Sequence, residues 1–260
     1  MALTYRIFGD DKGTMPDDKD IQSHYDAMLA RHYVWMAGGW DAGCGKSRRF
    51  FEEHAIRPNG SGIAVDLGAG CGFLSIALAG AGFRVTAVDR SREMLDILRQ
   101  HAEGQLIRTV IADILDFPAW DDNEKPELIA CTGDTLTHLA DMCAVKRLLR
   151  QCARELSAGG TLILSCRDYS REPSGSSVVI PVQREANRIF LCRLCYETDR
   201  VMVEDILYTR ESGQWERTSG KYPKIRIAPD LLEGLFADEG FRIRPGDPQD
   251  EMITLIGQKL

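Results

Sequence analysis

Nowhere in the 260 residues is there a run near the roughly 18 apolar side chains needed to cross a bilayer. Residues 1–20 are too polar for a secretory signal. Both absences lead to the expectation of a cytoplasmic protein that does not meet a membrane. Positive charge is also short: 32 Lys and Arg stand against 39 Asp and Glu, for a formal net charge of −7. Nucleic acid is therefore not an expected partner, because gripping a phosphate backbone takes clustered cations. Eight cysteines are present, yet no second pair lies at zinc-finger spacing. Cys192 and Cys195 form one C-x-x-C, but in a strand-like run their side chains point to opposite faces. The others sit mostly in apolar runs and read as small core residues, so no metal is expected.

What the chain does have is glycine at an informative spacing. The apolar run Gly62 to Leu67 carries Asp66 and breaks at Gly68, Gly70 and Gly72, with Ala69 between, and Phe73 to Ala79 then reads as a helix. A strand, a glycine-rich turn and a helix N-terminus make a nucleotide-binding element in open α/β sheets, because backbone N–H groups can approach a ligand there. The spacing is D-x-G-x-G-x-G and not the G-x-G-x-x-G of dinucleotide folds. A second β-branched run, Phe83 to Val88, closes on Asp89 and Arg90. An acid at that strand tip is placed to accept from ribose hydroxyls. Ser91 then reads as a helix N-cap. A third run, Leu106 to Ala112, ends in Asp113-Ile114, an acid for a purine amino group and an aliphatic for its ring. The fourth, Leu128 to Cys131, leads into Thr132-Gly133-Asp134 and on to His138. One aspartate at a strand end is commonly a turn residue. Four such ends in register on a strand–helix rhythm point to one ligand-binding edge.

The rest of the chain divides by rhythm. Helical patterns lie around Ile21 to Met36 and Lys46 to Ile56. The helix Asp141 to Leu156 repeats Val145, Leu148, Leu149, Cys152 and Leu156 at helical spacing, and Thr161 to Cys166 is a fifth strand. Alternation then gives way to three long β-rich runs, 187–197, 200–209 and 214–227, which read as an antiparallel meander. A helix over Asp230 to Ala237 and strands over Phe241 to Arg244 and Met252 to Lys259 finish the chain. The expected fold is α/β: a Rossmann-like, seven-stranded, mostly parallel sheet with helices on both faces and its final strand antiparallel, plus a small antiparallel β cap. Residues 1–60 would form an N-terminal helical lid, 61–168 and 229–260 the core, and 169–228 the inserted cap. The meander is either a cap over the carboxyl ends of the main strands or a peripheral extension.

The D-x-G-x-G-x-G turn with its run of acid-tipped strands resembles the class I S-adenosylmethionine-dependent methyltransferases over about residues 20–260. Within them the chain is most similar to the glycine/sarcosine N-methyltransferase-related group. Ile129 to Leu139 is similar to that group's I-C-L-G-N-S-x-x-H-L, and Cys166-Arg-Asp-Tyr169 to its H-R-N-Y. The segment from Tyr25 to Trp35 resembles its N-terminal Y-D-x-x-A-x-x-Y helix, which folds over the cofactor. Two departures stand out: Asp134 replaces an asparagine, and the arginine offered to the methionine carboxylate has no clear equivalent. No N/D-P-P-Y/F signature of base or glutamine methylation is present.

The resemblance implies S-adenosylmethionine as methyl donor, with S-adenosylhomocysteine as product, and contacts from Tyr25, Trp35, Asp66, Gly68, Ala69, Gly70, Asp89, Arg90, Asp113, Ile114, Thr132 and Gly133. It implies an acceptor site at Tyr33, Asp134, His138, Arg167 and Tyr222. His138 is either a general base or a helix-start histidine bonded to backbone. Arg167 either grips a substrate carboxylate bidentately or pairs with an acid such as Asp134 or Asp168. The expected activity is methylation of a small molecule at an amine or amino-acid nitrogen. A small-molecule or sugar O- or N-methyltransferase of secondary metabolism remains open. So does a non-catalytic protein binding S-adenosylmethionine or NAD. Self-association is compatible with every one of these readings.

Overall fold

The structure, a computed structural model, describes residues 28–117, 125–175, 177–244 and 252–260. Its centre is a seven-stranded sheet. In chain order the strands are β1 (Ile63–Leu67), β2 (Arg84–Asp89), β3 (Ile107–Ile111), β4 (Leu128–Cys131), β5 (Thr161–Arg167), β10 (Phe241–Arg244) and β11 (Met252–Lys259). They lie in the order β10-β11-β5-β4-β1-β2-β3, reversing direction of growth between β1 and β4. Strands β1 to β5 pair in parallel, while β11 runs antiparallel to both β5 and β10. β1 and β4 are buried at every position, as expected of central strands with helices on both faces.

Helices cover both faces. On one side α5 (Met142–Glu155) and α6 (Pro229–Asp238) bury Leu148, Leu149, Cys152, Leu235 and Phe236 against Val65, Ile129 and Leu164. On the other, α2 (Trp40–Glu53) and α3 (Phe73–Gly80) bring Phe51, Leu74 and Leu78 against Ala64, Ala130 and Ile163. The N-caps follow sequence chemistry. Ser91 Oγ accepts from the Met94 N–H at 3.2 Å before α4 (Arg92–His101), and Asp141 Oδ1 accepts from Ala144 N–H at 2.8 Å before α5.

Between β5 and α6 the chain builds a second sheet of four antiparallel strands: β6 (Ser177–Arg184), β7 (Arg188–Tyr196), β8 (Arg200–Glu211) and β9 (Gln214–Ile225). Three of these match the meander expected from the sequence; β6 was not anticipated. It is an edge strand with Pro181 in it and a register shift between Pro181 and Gln183, which leaves a weak periodic signal. Cys192 pairs with Asp205 and Cys195 with Met202, on opposite faces of the sheet. The face bearing Leu194, Val201, Val203 and Tyr222 packs on Tyr169, just beyond the end of β5. The opposite face carries Glu204, ion-paired to Arg193 and Arg217.

Two helical boundaries also shift. The helix placed at Lys46–Ile56 spans Trp40–Glu53, its start hidden by Gly43 and Gly45. Gly43 is accommodated because a β-carbon there would meet the Phe73 ring at 2.6 Å. Of the pattern at Ile21–Met36 the described residues show α1 (Ala30–Met36). Among the described residues no helix is long and apolar enough to cross a membrane.

Candidate functional site

The glycine turn is fixed from below by β2: the N–H groups of Gly68 and Ala69 both donate to the Val88 carbonyl, at 2.8 and 3.0 Å. Its glycines answer different demands. At Gly68, φ is +75° and a β-carbon would lie 2.3 Å from the Thr135 side chain, so the turn presses on the residue after Asp134. At Gly70 a β-carbon would enter open space, leaving that side of the turn clear for a ligand. The Gly70 N–H donates to Asp89 Oδ2 at 2.7 Å and the Ser91 N–H to Asp89 Oδ1 at 2.8 Å.

Asp66 is placed differently from its neighbours. Grouped on sequence grounds with the ligand-facing residues, it is 1 % exposed and accepts from Ser75 Oγ of α3 at 2.6 Å. Burial, with Asp89's charge adding, raises its pKa to about 7 against the pull of Ser75. The carboxyl braces the turn from inside the fold.

At the next strand tip Asp113 Oδ1 accepts from the Leu115 N–H at 2.8 Å, while Oδ2 lies 3.5 Å from Arg90. Ile114 beside it is buried. At the tip of β4 the Gly133 N–H donates to Ser165 Oγ at 3.0 Å, and Thr132 offers its carbonyl to Thr135 Oγ1 at 3.3 Å.

Helix α1 splits the two aromatics assigned to it. The Tyr33 ring stacks 6.3 Å from Phe73, and burial together with Cys71, Asp89, Asp134 and Asp205 pushes its ionisation upward. Tyr33 packs in a cluster with Cys71, Met94 and Phe73, beside the glycine turn. Trp35, expected at the cofactor, instead packs with Phe190 and Leu207, under the Arg188 guanidinium at 4.3 Å. Residues two apart on a helix point to opposite sides, so both cannot face the cofactor turn. Tyr25 lies outside the described residues.

Asp134 is the most heavily bonded side chain of the site. Oδ1 accepts from the Arg167 backbone N–H at 3.1 Å and from Thr137 Oγ1 at 3.0 Å. Oδ2 accepts from the Tyr169 hydroxyl at 2.6 Å and pairs with the Lys224 ammonium. Burial would raise the Asp134 pKa, but Lys224 outweighs it and holds the carboxyl below its usual range, with Tyr169 and Arg167 N–H adding. The cation against Asp134 is therefore Lys224, not the Arg167 considered from sequence; Arg167 brings its backbone. Sequence reasoning missed Lys224 because the pair spans 90 residues and joins two sheets. It missed Asp205 for the same reason: on β8, 3 % exposed, Asp205 accepts from the Tyr222 hydroxyl at 2.9 Å.

The surroundings of His138 disfavour its protonation. Its ring stacks on Tyr222, centroids 5.3 Å apart, and burial, then the nearby Lys224, lowers its pKa to about 3 despite Asp134. Such an imidazole stays neutral and is a poor proton acceptor near pH 7. Behind it, a cavity of about 300 Å³ opens between the start of α5 and the second sheet, walled by His138, Met142, Pro223, Lys224 and Ile225.

Comparison with known proteins agrees with this arrangement. Residues 64–160 match a family model described as a methyltransferase domain. The glycine/sarcosine N-methyltransferase of Aphanothece halophytica is 31 % identical over 169 residues, 61 % of this chain and 61 % of that protein. The chain spans 44–61 % of the length of the curated relatives it matches first. Among solved structures, the CcbJ methyltransferase from Streptomyces caelestis superposes with a TM-score of 0.72 at 20 % identity, covering 92 % of this chain and 98 % of that one. The sugar N-methyltransferase KedS8 from Streptoalloteichus sp ATCC 53650 gives 0.65 at 17 % identity, covering 100 % and 98 %. At such identities the structural likeness speaks for the fold.

Proposed function

Residues 64–160 match a methyltransferase domain, and we propose that the chain is a class I S-adenosylmethionine-dependent methyltransferase that methylates a small molecule at an amine or amino-acid nitrogen. The observation that carries the reading is the turn at Gly70: open on its ligand side, with the Asp89 carboxylate fixed beside it. These residues fit an adenosyl group. Asp89 would take the ribose hydroxyls, Asp113 and Ile114 the adenine, and the backbone at Gly68, Gly70 and Gly133 would line the rest. When bound, S-adenosylmethionine supplies a methyl group already activated on a sulfonium. The protein's remaining tasks are to align the acceptor and exclude water. Tyr33 and the second sheet would do so from above, in a cap role that accords with Lys224 reaching Asp134.

Nitrogen is favoured over oxygen as acceptor because a hydroxyl needs a general base and His138 is a weak one. An amine needs only a free lone pair. Arg167, at the end of β5, is the proposed holder of an acceptor carboxylate. A second reading, an amine borne on a sugar, is suggested by the sugar N-methyltransferase KedS8, whose fold this chain shares.

The test is a screen for S-adenosylhomocysteine release with glycine, sarcosine and amino sugars as acceptors, preceded by calorimetry with S-adenosylhomocysteine and NAD. Binding of the former and turnover of an amine are expected. Tighter binding of NAD, or no binding of either, would reject the reading.

A further inference from the structure

Asp134 poses a chemical difficulty that only its partner resolves. It lies at the tip of β4, one residue before the Thr135 that touches the glycine turn, so an acceptor nitrogen aligned with the donor would approach its neighbourhood. A bare carboxylate there would stabilise the ammonium form of an amine. An ammonium has no lone pair with which to attack. We propose that Lys224 is a positioning residue whose ammonium cancels the charge of Asp134, so that the site accepts an amine in its neutral, nucleophilic form. The proposal rests on the methyltransferase reading given above.

The geometry supports the role. Lys224 is 7 % exposed, bonds directly to Asp134 Oδ2, and lies 5.7 Å from the centre of the Tyr222 ring, which in turn stacks on His138. Tyr169 from beyond β5 and Thr137 from the same turn add neutral donors, leaving the balance of charge at Asp134 to Lys224. His138, Tyr33 and the Cys192 thiol of β7, which face the pair, stay neutral at pH 7. Removing Lys224 alone leaves the Asp134 charge without its cation; removing Asp134 alone leaves the ammonium without its anion.

The test titrates methylammonium chloride, a small cation, by calorimetry at pH 7 in the presence of S-adenosylhomocysteine. Wild type, Lys224→Arg and the double variant Asp134→Asn/Lys224→Met should bind it equally weakly. Lys224→Met should bind it at least tenfold more tightly. Lys224→Gln, which keeps a hydrogen-bond donor toward Asp134, serves where the methionine variant does not fold. On any acceptor that turns over, the acid limb of kcat should move up by about one pH unit or more in Lys224→Met and return in the double variant. Cation binding unchanged in Lys224→Met or its stand-in Lys224→Gln, or failure of every replacement including the double to fold, would make Lys224 merely structural and overturn the proposal. S-adenosylhomocysteine affinity, measured in the same samples, should stay within twofold. Its absence in wild type would reject the methyltransferase reading, while the cation titrations would still judge Lys224.

Discussion

Asp66, which is buried, and Asp134, which is half-buried, respond to pH in opposite directions. The folded pKa of Asp66 is raised to about 7, above the unfolded value near 3.8. Between those values the native state holds a proton that the unfolded chain releases. Stability present below about pH 4 is therefore lost as pH rises toward 7, by roughly 3–5 kcal/mol for a shift of this size. Asp66→Asn, which still accepts from Ser75, should remove that loss. Urea unfolding at pH 5 and pH 8 should show a smaller decline for the variant than for wild type, and equal declines would refute the assignment. Asp134 has the reverse sign: its depressed pKa gives stability that is full above the unfolded value and fades as pH falls through the folded one. Asp89 is the residue proposed to take the ribose hydroxyls, and a charge-assisted hydrogen bond of that kind is worth about 1.5–3 kcal/mol. Asp89→Ala should weaken S-adenosylhomocysteine binding at least tenfold by calorimetry. It should also lower the melting temperature slightly, because the Gly70 and Ser91 N–H groups lose their acceptor. Arg167→Lys should lower kcat/KM for a carboxylate-bearing acceptor and leave cofactor affinity unchanged, since a point charge cannot reproduce the guanidinium fork. Equal loss of both would mean that Arg167 serves structure.

Among the elements, the turn after β1 tolerates least change. In Gly68→Ala, positive φ and a β-carbon 2.3 Å from the Thr135 side chain act together, for an expected loss of about 2–4 kcal/mol in urea unfolding. Adding Thr135→Ala should restore part of it, because Cγ2 and Oγ1 are removed while Cβ remains. No recovery would place the strain in the backbone alone. This turn was also the most legible part of the sequence. Strands β1 to β5 announce themselves as apolar runs closed by acids, and Ser91 and Asp141 mark the starts of their helices. Other elements left fainter marks. Pro181 and an exposed face obscured β6, and two glycines obscured the first turns of α2. At the site the division is similar. Residues at strand tips were readable because the fold itself carries them to one edge. Lys224 and Asp205 were not, since their neighbours are set by how one sheet settles on another, and no local spacing encodes that.

At the scale of the whole molecule, the two sheets meet through one arginine as well as through Lys224. Arg226, just after β9, donates to the carbonyls of Tyr169 at 3.0 Å, Ser170 at 3.1 Å and Glu197 at 2.7 Å, and pairs with Glu172. It ties the way into the second sheet to the way out, and both to the turn between β7 and β8. Arg226→Lys cannot satisfy these acceptors together, so amide exchange should quicken over residues 169–200 while β1 and β4 stay protected. Uniform acceleration across both sheets would show instead that they unfold as one unit. The same knot has an evolutionary meaning. Because the second sheet leaves and re-enters the main one at a single point, it can be exchanged like a cassette, its two splice points already neighbours. A chimera carrying a foreign insert between residues 169 and 227 should still fold and bind S-adenosylhomocysteine. What it methylates should follow the insert, so that acceptor choice in such chains can diversify by recombination while the donor-binding framework is inherited intact.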